Sequence, residues 1–339
     1  MSDIVFIGEV PPPYGGVAVK DKLVFKEVYE ELGTQMIDLV ECKRHPLKMP
    51  YIFAKIIFAM LMKKKIIIGV GTSKRRKILL QLQKFLGGEK GLRNVVLLGM
   101  GGRMHEVDAK DPQMRMLMSQ TNSVWVETEG MIREMNKRGI NQARFFPNCR
   151  TKENAVQPCK RDTEVLKLVF FSRICTEKGV NVIIEAFDSF DRQCSLDFYG
   201  EIATAFKEEF EDFLRMHPQI HYHGVYDAVN GDVYQELNQY DVMLLPSRWM
   251  GEGVPGALVE SKMAGITAIV SDWNFNKEVV LDGIEGIVLK TTDAENLVKA
   301  VNRLCNDQHM LQVLKDGAFA SHKRYCIDTY KTELQVVWD

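Results

Sequence analysis

Short, unbroken apolar runs alternate along the chain with longer stretches in which apolar residues return every three or four positions. In the first half the short runs are DIVFIGEV (3–10), QMIDLVE (35–41), KIIIGVG (65–71), NVVLLGM (94–100), SVWVETE (123–129) and ARFFP (143–147). A strand with one wet face alternates; runs that stay apolar fit parallel strands covered on both faces. Between them lie helix patterns such as VAVKDKLVFKEVYEELG (17–33), which stops at Gly33 as a helix C-terminus should. The repeated βα rhythm predicts a doubly wound parallel sheet.

The rhythm breaks at NCRTKENAVQPCKRDTE (148–164), which is polar, aperiodic and interrupted by Pro158. It restarts with VLKLVFFSR (165–173), SLDFYGE (195–201), IHYHGV (220–225), DVMLLPS (241–247), TAIVSD (267–272) and EGIVLK (285–290). The expected organisation is an α/β chain of two Rossmann-like domains, 1–150 and 165–320, joined by a linker at 151–164. Residues 321–339 form a terminal helix with the option of packing back on the first domain. Two such domains facing each other predict a deep cleft at the C-terminal ends of both sheets, where ligands bind.

Composition narrows the class. A chain of 339 residues, 46% hydrophobic and 26% charged, has material for two ordinary cores. The net charge of −1 gives no global argument for nucleic acid. Seven cysteines at irregular spacing, with no C-x-x-C, read as reduced thiols and not as a disulfide framework or zinc site. A strand-like run begins almost at once, leaving no room for a signal peptide, and the longest apolar stretch, 51–62, is too short to span a bilayer. A cytoplasmic protein is expected. Local charge says more than the total: from Lys43 to Arg93 there are fourteen lysines and arginines against one acid, Glu89. That excess suits an anionic partner, either a membrane surface or a phosphorylated substrate; a solvated basic face is the plainer alternative. Within it, 45–65 reads either as an interfacial amphipathic helix or as a core helix with a lysine end.

The chemistry concentrates at GEGVPGALVE (251–260). It follows the strand-like DVMLLPS and opens a helix that stops at Gly265, with Pro255 where a helix begins. The amides of Gly253, Val254 and Gly256 at that helix start favour an anion. Glu252 precedes the helix and Glu260 lies about one turn into it, so one carboxylate can hold a ribose diol and the other a sugar hydroxyl. A nucleotide sugar has phosphates between two such groups. A cap carboxylate plus a surface glutamate is the ordinary alternative. Arg173 and Lys178, at a strand end before Gly179, make a phosphate clamp or a structural ion pair.

The run LPSRWMGEGVPGALVESKMAG resembles the signature of the retaining, family-4 glycosyltransferases of the GT-B fold, and FFSRICTEKGVNVIIEAF (170–187) is similar to the segment opening that family's C-terminal domain. The resemblance implies that Arg173 and Lys178 grip the donor diphosphate, that Glu252 orients the donor sugar and that Glu260 holds the ribose. EVPPPYGGVAVK (9–20) resembles the family's Gly-Gly loop that faces the donor, here Gly15 and Gly16, with a plain βα turn as the alternative. His105 stands nearest the family's N-terminal histidine, with a plain loop residue as the alternative, and Gly101 and Gly102 fit an acceptor-side wall. Ser172 and Glu201 depart from the pattern, each replacing a smaller residue. The implied reaction is transfer of a sugar from a nucleoside-diphosphate sugar to a glycan or lipid-linked glycan hydroxyl. It needs no cofactor, and it takes place in the cytoplasm or at the membrane's cytoplasmic face. No Asp-x-Asp is present to hold a metal, and His221 and His223 share a strand face with no third ligand nearby in sequence, which favours packing or nucleotide-loop contacts, with backbone groups around His223 to Tyr226 as a candidate base-binding loop. A nucleotide-sugar epimerase on the same fold is one rival; a non-catalytic binding or partner subunit is the other.

Overall fold

A computed structural model describes residues 3–12, 16–99, 101–153, 155–160, 164–191, 193–227 and 231–338, the side chain of Glu89 excepted. The chain divides into two compact units. Unit 1 comprises Met1–Arg150, Gly251–Gly253 and Cys326–Asp339; unit 2 comprises Thr151–Met250 and Val254–Tyr325. None of the seven cysteines is in a disulfide.

In unit 1 the strands are β1 (Ile4–Gly8), β2 (Gln35–Asp38), β3 (Lys65–Gly69), β4 (Val95–Leu98), β5 (Ser123–Val126) and β6 (Ala143–Phe145). They pair in the order β2-β1-β3-β4-β5-β6, with every pairing parallel. Each falls inside one of the six apolar runs of the first half. Val5, Phe6, Ile7, Ile66, Ile67, Ile68 and all four residues of β4 are wholly buried. Burial on both sheet faces is why these strands show no alternation. The first helix runs Gly16–Val24, widens over Phe25–Tyr29, tightens over Glu30–Leu32 and ends at Gly33, whose φ of 66° is left-handed.

Residues 326–338 belong to this core. Ile327 and Leu334 are buried and join Phe6, Val28, Tyr29 and Phe146 in one cluster. Burying each of these two aliphatic side chains contributes about 1.5–3 kcal/mol. The Tyr29 hydroxyl donates to the Leu334 carbonyl at 2.9 Å, and the Phe146 and Tyr330 rings meet edge to face at 5.5 Å. The returning segment pairs beside the end of the first one: Arg150 bridges Cys326, and the Ile327 amide donates to the Arg150 carbonyl at 3.0 Å.

Unit 2 holds β7 (Leu166–Phe171), β8 (Cys194–Tyr199), β9 (His221–Tyr222), β10 (Val242–Leu245), β11 (Thr267–Ser271) and β12 (Gly286–Leu289), in the order β12-β11-β10-β7-β8-β9, again all parallel. The chain lays down β7, β8 and β9 in one direction, returns to the middle and continues outward with β10, β11 and β12. The loops after β7 and β10 therefore leave toward opposite faces, which makes a crevice at the switch point of a doubly wound sheet. In unit 1 the corresponding point lies between β1 and β3.

The connecting stretch is held against unit 2. The Val156 amide donates to the Met263 carbonyl at 2.7 Å and Asn238 donates to the Gln157 carbonyl at 3.0 Å. Gly265, at φ +69°, leaves only 2.6 Å between a would-be Cβ and the Pro158 nitrogen, so a side chain there would push the connection away.

Candidate functional site

At the switch point of unit 2 the loops after β7 and β10 are fastened through backbone. The Arg248 amide donates to the Glu177 carbonyl at 2.7 Å, and the Ser247 hydroxyl to the same carbonyl at 3.4 Å. Gly179 makes the approach possible: it takes φ +79°, and a Cβ on it would stand 2.1 Å from the Pro246 carbonyl oxygen. Arg173 emerges exposed just past β7, and half-buried Lys178 closes the tight turn Thr176–Lys178. Fold topology thus places both cations on one loop at the crevice.

Pro255 is the residue before the helix Gly256–Met263, one position earlier than its sequence context suggested; it has φ −58° and ψ 126°. Among the described residues Pro255, its N-cap, gives this helix no side-chain cap. The nearby helix Val233–Asn238 differs, since Asp232 there accepts from the amides of Tyr234 and Gln235. An uncapped first turn in a strand–loop–helix leaves amide donors suited to a negatively charged ligand.

Beside this helix start, unit 2 contains a cavity of about 290 Å³, walled by Phe171, Ser172, Tyr199, Tyr226 and Ala257, with Glu260 contributing a carboxylate. Its shape depends on Gly200, at φ +140°, where a Cβ would fall 1.8 Å from the Ser172 carbonyl oxygen. Tyr199 is fixed by a polar network. Its hydroxyl donates to Glu236 and lies 3.2 Å from the Tyr240 hydroxyl, which donates to Asp197 at 2.8 Å. Burial holds both phenols well above their usual range, so they remain donors. Glu201 is exposed beyond this wall.

His221 and His223 both turn to Asp197, at 3.5 and 2.9 Å, and the His223 ring stacks on Tyr199 at 4.5 Å. Among the described residues no group of three or more His, Cys, Asp or Glu side chains is placed to hold a metal. The His223 ring thus backs Tyr199 in the cavity wall, while His221 stays exposed beside Asp197.

The other candidates, Val254 apart, lie in unit 1. The Gly102 amide donates to the Gly251 carbonyl at 3.0 Å, and a Cβ on Gly102 would overlap the Glu252 carbonyl oxygen at 1.7 Å. Gly253 packs as closely against Glu127, whose Oε2 would be 2.0 Å from a Cβ there. Glu252, Gly253 and Val254 are buried. Gly101 adopts φ +81°. Gly16 begins the first helix, with open space where a Cβ would point; Gly15 lies outside the described residues. Half-buried His105 sits in the turn Met104–Asp108, where desolvation pushes its imidazole below the ordinary value.

Two functional candidates were not singled out from sequence although both stand in the runs quoted above. Lys20 and Glu127 form a buried ion pair at 3.1 Å, and the Lys20 ammonium also donates to the Phe146 carbonyl at 3.3 Å. A charge inside VAVK gives no signal until β5 brings Glu127 to it. Tyr199 and Val233 were missed as lining residues for the same reason, since only the topology gathers them, and Tyr226 was marked only for its loop's backbone; the aromatic–glycine pair in FYGE was the available hint.

A family model described as "Glycosyl transferases group 1" matches residues 151–320, half of the chain. The chain is 25% identical over 187 residues to the N,N'-diacetylbacillosaminyl-diphospho-undecaprenol alpha-1,3-N-acetylgalactosaminyltransferase of Campylobacter jejuni, covering 53% of this chain and 47% of that protein. It is 32% identical over 77 residues to the Escherichia coli UDP-Gal:alpha-D-GlcNAc-diphosphoundecaprenol alpha-1,3-galactosyltransferase, covering 23% of this chain and 19% of that one. Each match spans less than half the relative's length. Among solved structures, Anabaena HepE in complex with UDP superposes with a TM-score of 0.73 at 13% identity, over 98% of both chains. At that identity the likeness speaks for the shared GT-B fold.

Proposed function

The chain belongs to the group 1 glycosyl transferases, and from that premise we propose that it moves a sugar from a nucleotide-sugar donor to a hydroxyl of a glycan or lipid-linked glycan. Transfer retains the anomeric configuration and needs no metal. The observation that carries this reading is the unit 2 cavity, which pairs aromatic walls with the Glu260 carboxylate beside an uncapped helix start and Arg173. An aromatic wall takes a nucleobase face, a carboxylate accepts from ribose hydroxyls, and the amides and cations suit the diphosphate between base and sugar.

In this reaction Arg173 and Lys178 stabilise the charge that grows on the departing diphosphate, the largest protein contribution to such a step. The C1–O bond to the diphosphate breaks as the acceptor oxygen bonds to C1 from the same face, and the acceptor proton passes to the leaving phosphate. Glu252 orients the donor sugar, and Gly101, Gly102 and His105 are the candidate acceptor-side residues. The relatives named for undecaprenol-linked substrates favour a lipid-linked acceptor, met at the cytoplasmic face of a membrane.

The test measures nucleoside diphosphate release from candidate donors, with and without acceptor. Acceptor-dependent release with an α-configured donor and product, undiminished by a chelator, supports the proposal. A changed sugar still joined to its nucleotide would make the protein an epimerase. Donor binding with no turnover for any acceptor would make it a binding subunit.

A further inference from the structure

The helix Met49–Leu61, MPYIFAKIIFAML, is apolar around most of its circumference but covered on one side only. Ile52, Ile56, Ala59 and Met60 are buried in unit 1. Leu47 is 98% exposed, Tyr51 61% and Phe58 52%, and Ile57, Leu61 and Met62 are exposed with them. A helix apolar all round is ordinarily enclosed, and a contiguous exposed apolar patch marks a surface that meets something. The patch continues onto the neighbouring helix Ser73–Gly91. Phe53 and Ile78 line a shared apolar groove of about 280 Å³, and Phe85, 84% exposed, stands two turns beyond Ile78 on the same side.

The charges around the patch identify its occupant. Lys43 and Lys48 precede the helix, and Lys63 and Lys64 follow it. Lys55 lies along it with its ammonium over the exposed Tyr51 ring, 4.5 Å from the centroid, a cation–π contact that keeps a positive charge on the open side of the helix. Two copies of this face brought together would set one cationic rim against another, which opposes association. A bilayer with anionic headgroups satisfies both parts, taking aromatic and aliphatic side chains below the headgroups and lysines among them. Among the described residues no helix is long and apolar enough to cross a membrane, so this one would lie in the interface plane.

We propose that this face of unit 1 docks on an anionic lipid bilayer through the Met49–Leu61 helix and its flanking lysines. The proposal stands apart from the transfer reaction, because binding is measured with neither donor nor acceptor present. The full chain is sedimented with phosphatidylcholine vesicles, with and without phosphatidylglycerol. Binding is expected with phosphatidylglycerol at low salt, with release at high salt. The variant Leu47→Ser/Tyr51→Ser/Phe58→Ser, whose changed side chains point outward, should bind at least about tenfold more weakly with an unchanged circular dichroism spectrum. Lys43→Gln/Lys63→Gln, which leaves the apolar face intact and covers the case of a misfolded triple variant, should weaken binding and flatten its salt dependence. The proposal is overturned by absence of binding at low salt, by binding indifferent to phosphatidylglycerol, or by full binding of both variants. Self-association that the triple variant abolishes, without vesicle binding, would assign the face to a second copy.

Discussion

The two units share a six-stranded parallel sheet and a switch point, yet they use that point in opposite ways. In unit 1 the crevice between β1 and β3 is filled from within. Asp21, wholly buried, reaches under the strand ends where Gly8 and Gly69 leave room, and its oxygens would be 2.7 and 2.1 Å from side chains begun at those glycines. It accepts from the Glu9 amide at 2.8 Å, while Oδ1 has no hydrogen-bond partner among the described residues. In unit 2 the same place is tied through backbone at Glu177, leaving Arg173 outside and a cavity beside it. The lesson is that the fold supplies a ligand position twice, and the residue that enters the crevice decides whether it is kept.

The comparison breaks most severely if unit 2's cations prove dispensable. Arg173→Ala or Lys178→Ala should lower transfer by about 10²–10³ with little change in melting temperature; near-normal turnover would remove that residue from the reaction. Next come the glycines that shape the crevice. Gly179→Ala puts an L side chain at φ +79° and against the Pro246 carbonyl, and should cost about 2 kcal/mol or more in urea unfolding of unit 2. An unchanged midpoint would show that the two loops do not need their close approach. Tyr226→Ala, which removes one aromatic wall, should weaken nucleoside diphosphate binding by roughly tenfold in titration calorimetry, and unaltered affinity would place the base elsewhere.

The smallest effect concerns unit 1. Burial raises the Asp21 carboxyl well above the ordinary carboxylate value. A folded-state pKa above the unfolded one means the native protein holds the extra proton. This contribution is therefore full below the unfolded value, about pH 4, and is lost as pH rises toward the folded one. Asp21→Asn cannot titrate, so its melting temperature should fall less between acid and neutral pH than that of the unaltered protein. Parallel pH profiles would show that the plug is not the titrating group.

The elements were legible because their cause is local. A strand buried on both faces must be apolar throughout, and VVLL at β4 or VMLL at β10 has no other reading at that length. The stop at Gly33 was equally plain. The candidate site was half legible. Glu260 and Arg173 stand in motifs with a fixed spacing, whereas Tyr199 and Tyr226 become neighbours only after β8 is laid beside β7. The Lys20–Glu127 pair was hidden for the same reason, since 107 residues separate its members and neither charge suggests burial alone. Gly102 could be flagged as a glycine, but the backbone oxygen it must clear belongs to Glu252, far along the chain.

The pairing of Arg150 with Cys326 gives the molecule an unusual order of manufacture. Unit 1 is synthesised ahead of unit 2 but lacks Tyr330 and Leu334 from its interior until residues 326–338 have been made. At ordinary ribosomal speeds that gap lasts roughly 10–40 s, during which all of unit 2 has emerged. The second-synthesised body can therefore be finished first, while the first waits with Phe146 and Tyr29 uncovered. Nascent chains halted before residue 326 should be the ones that chaperones hold.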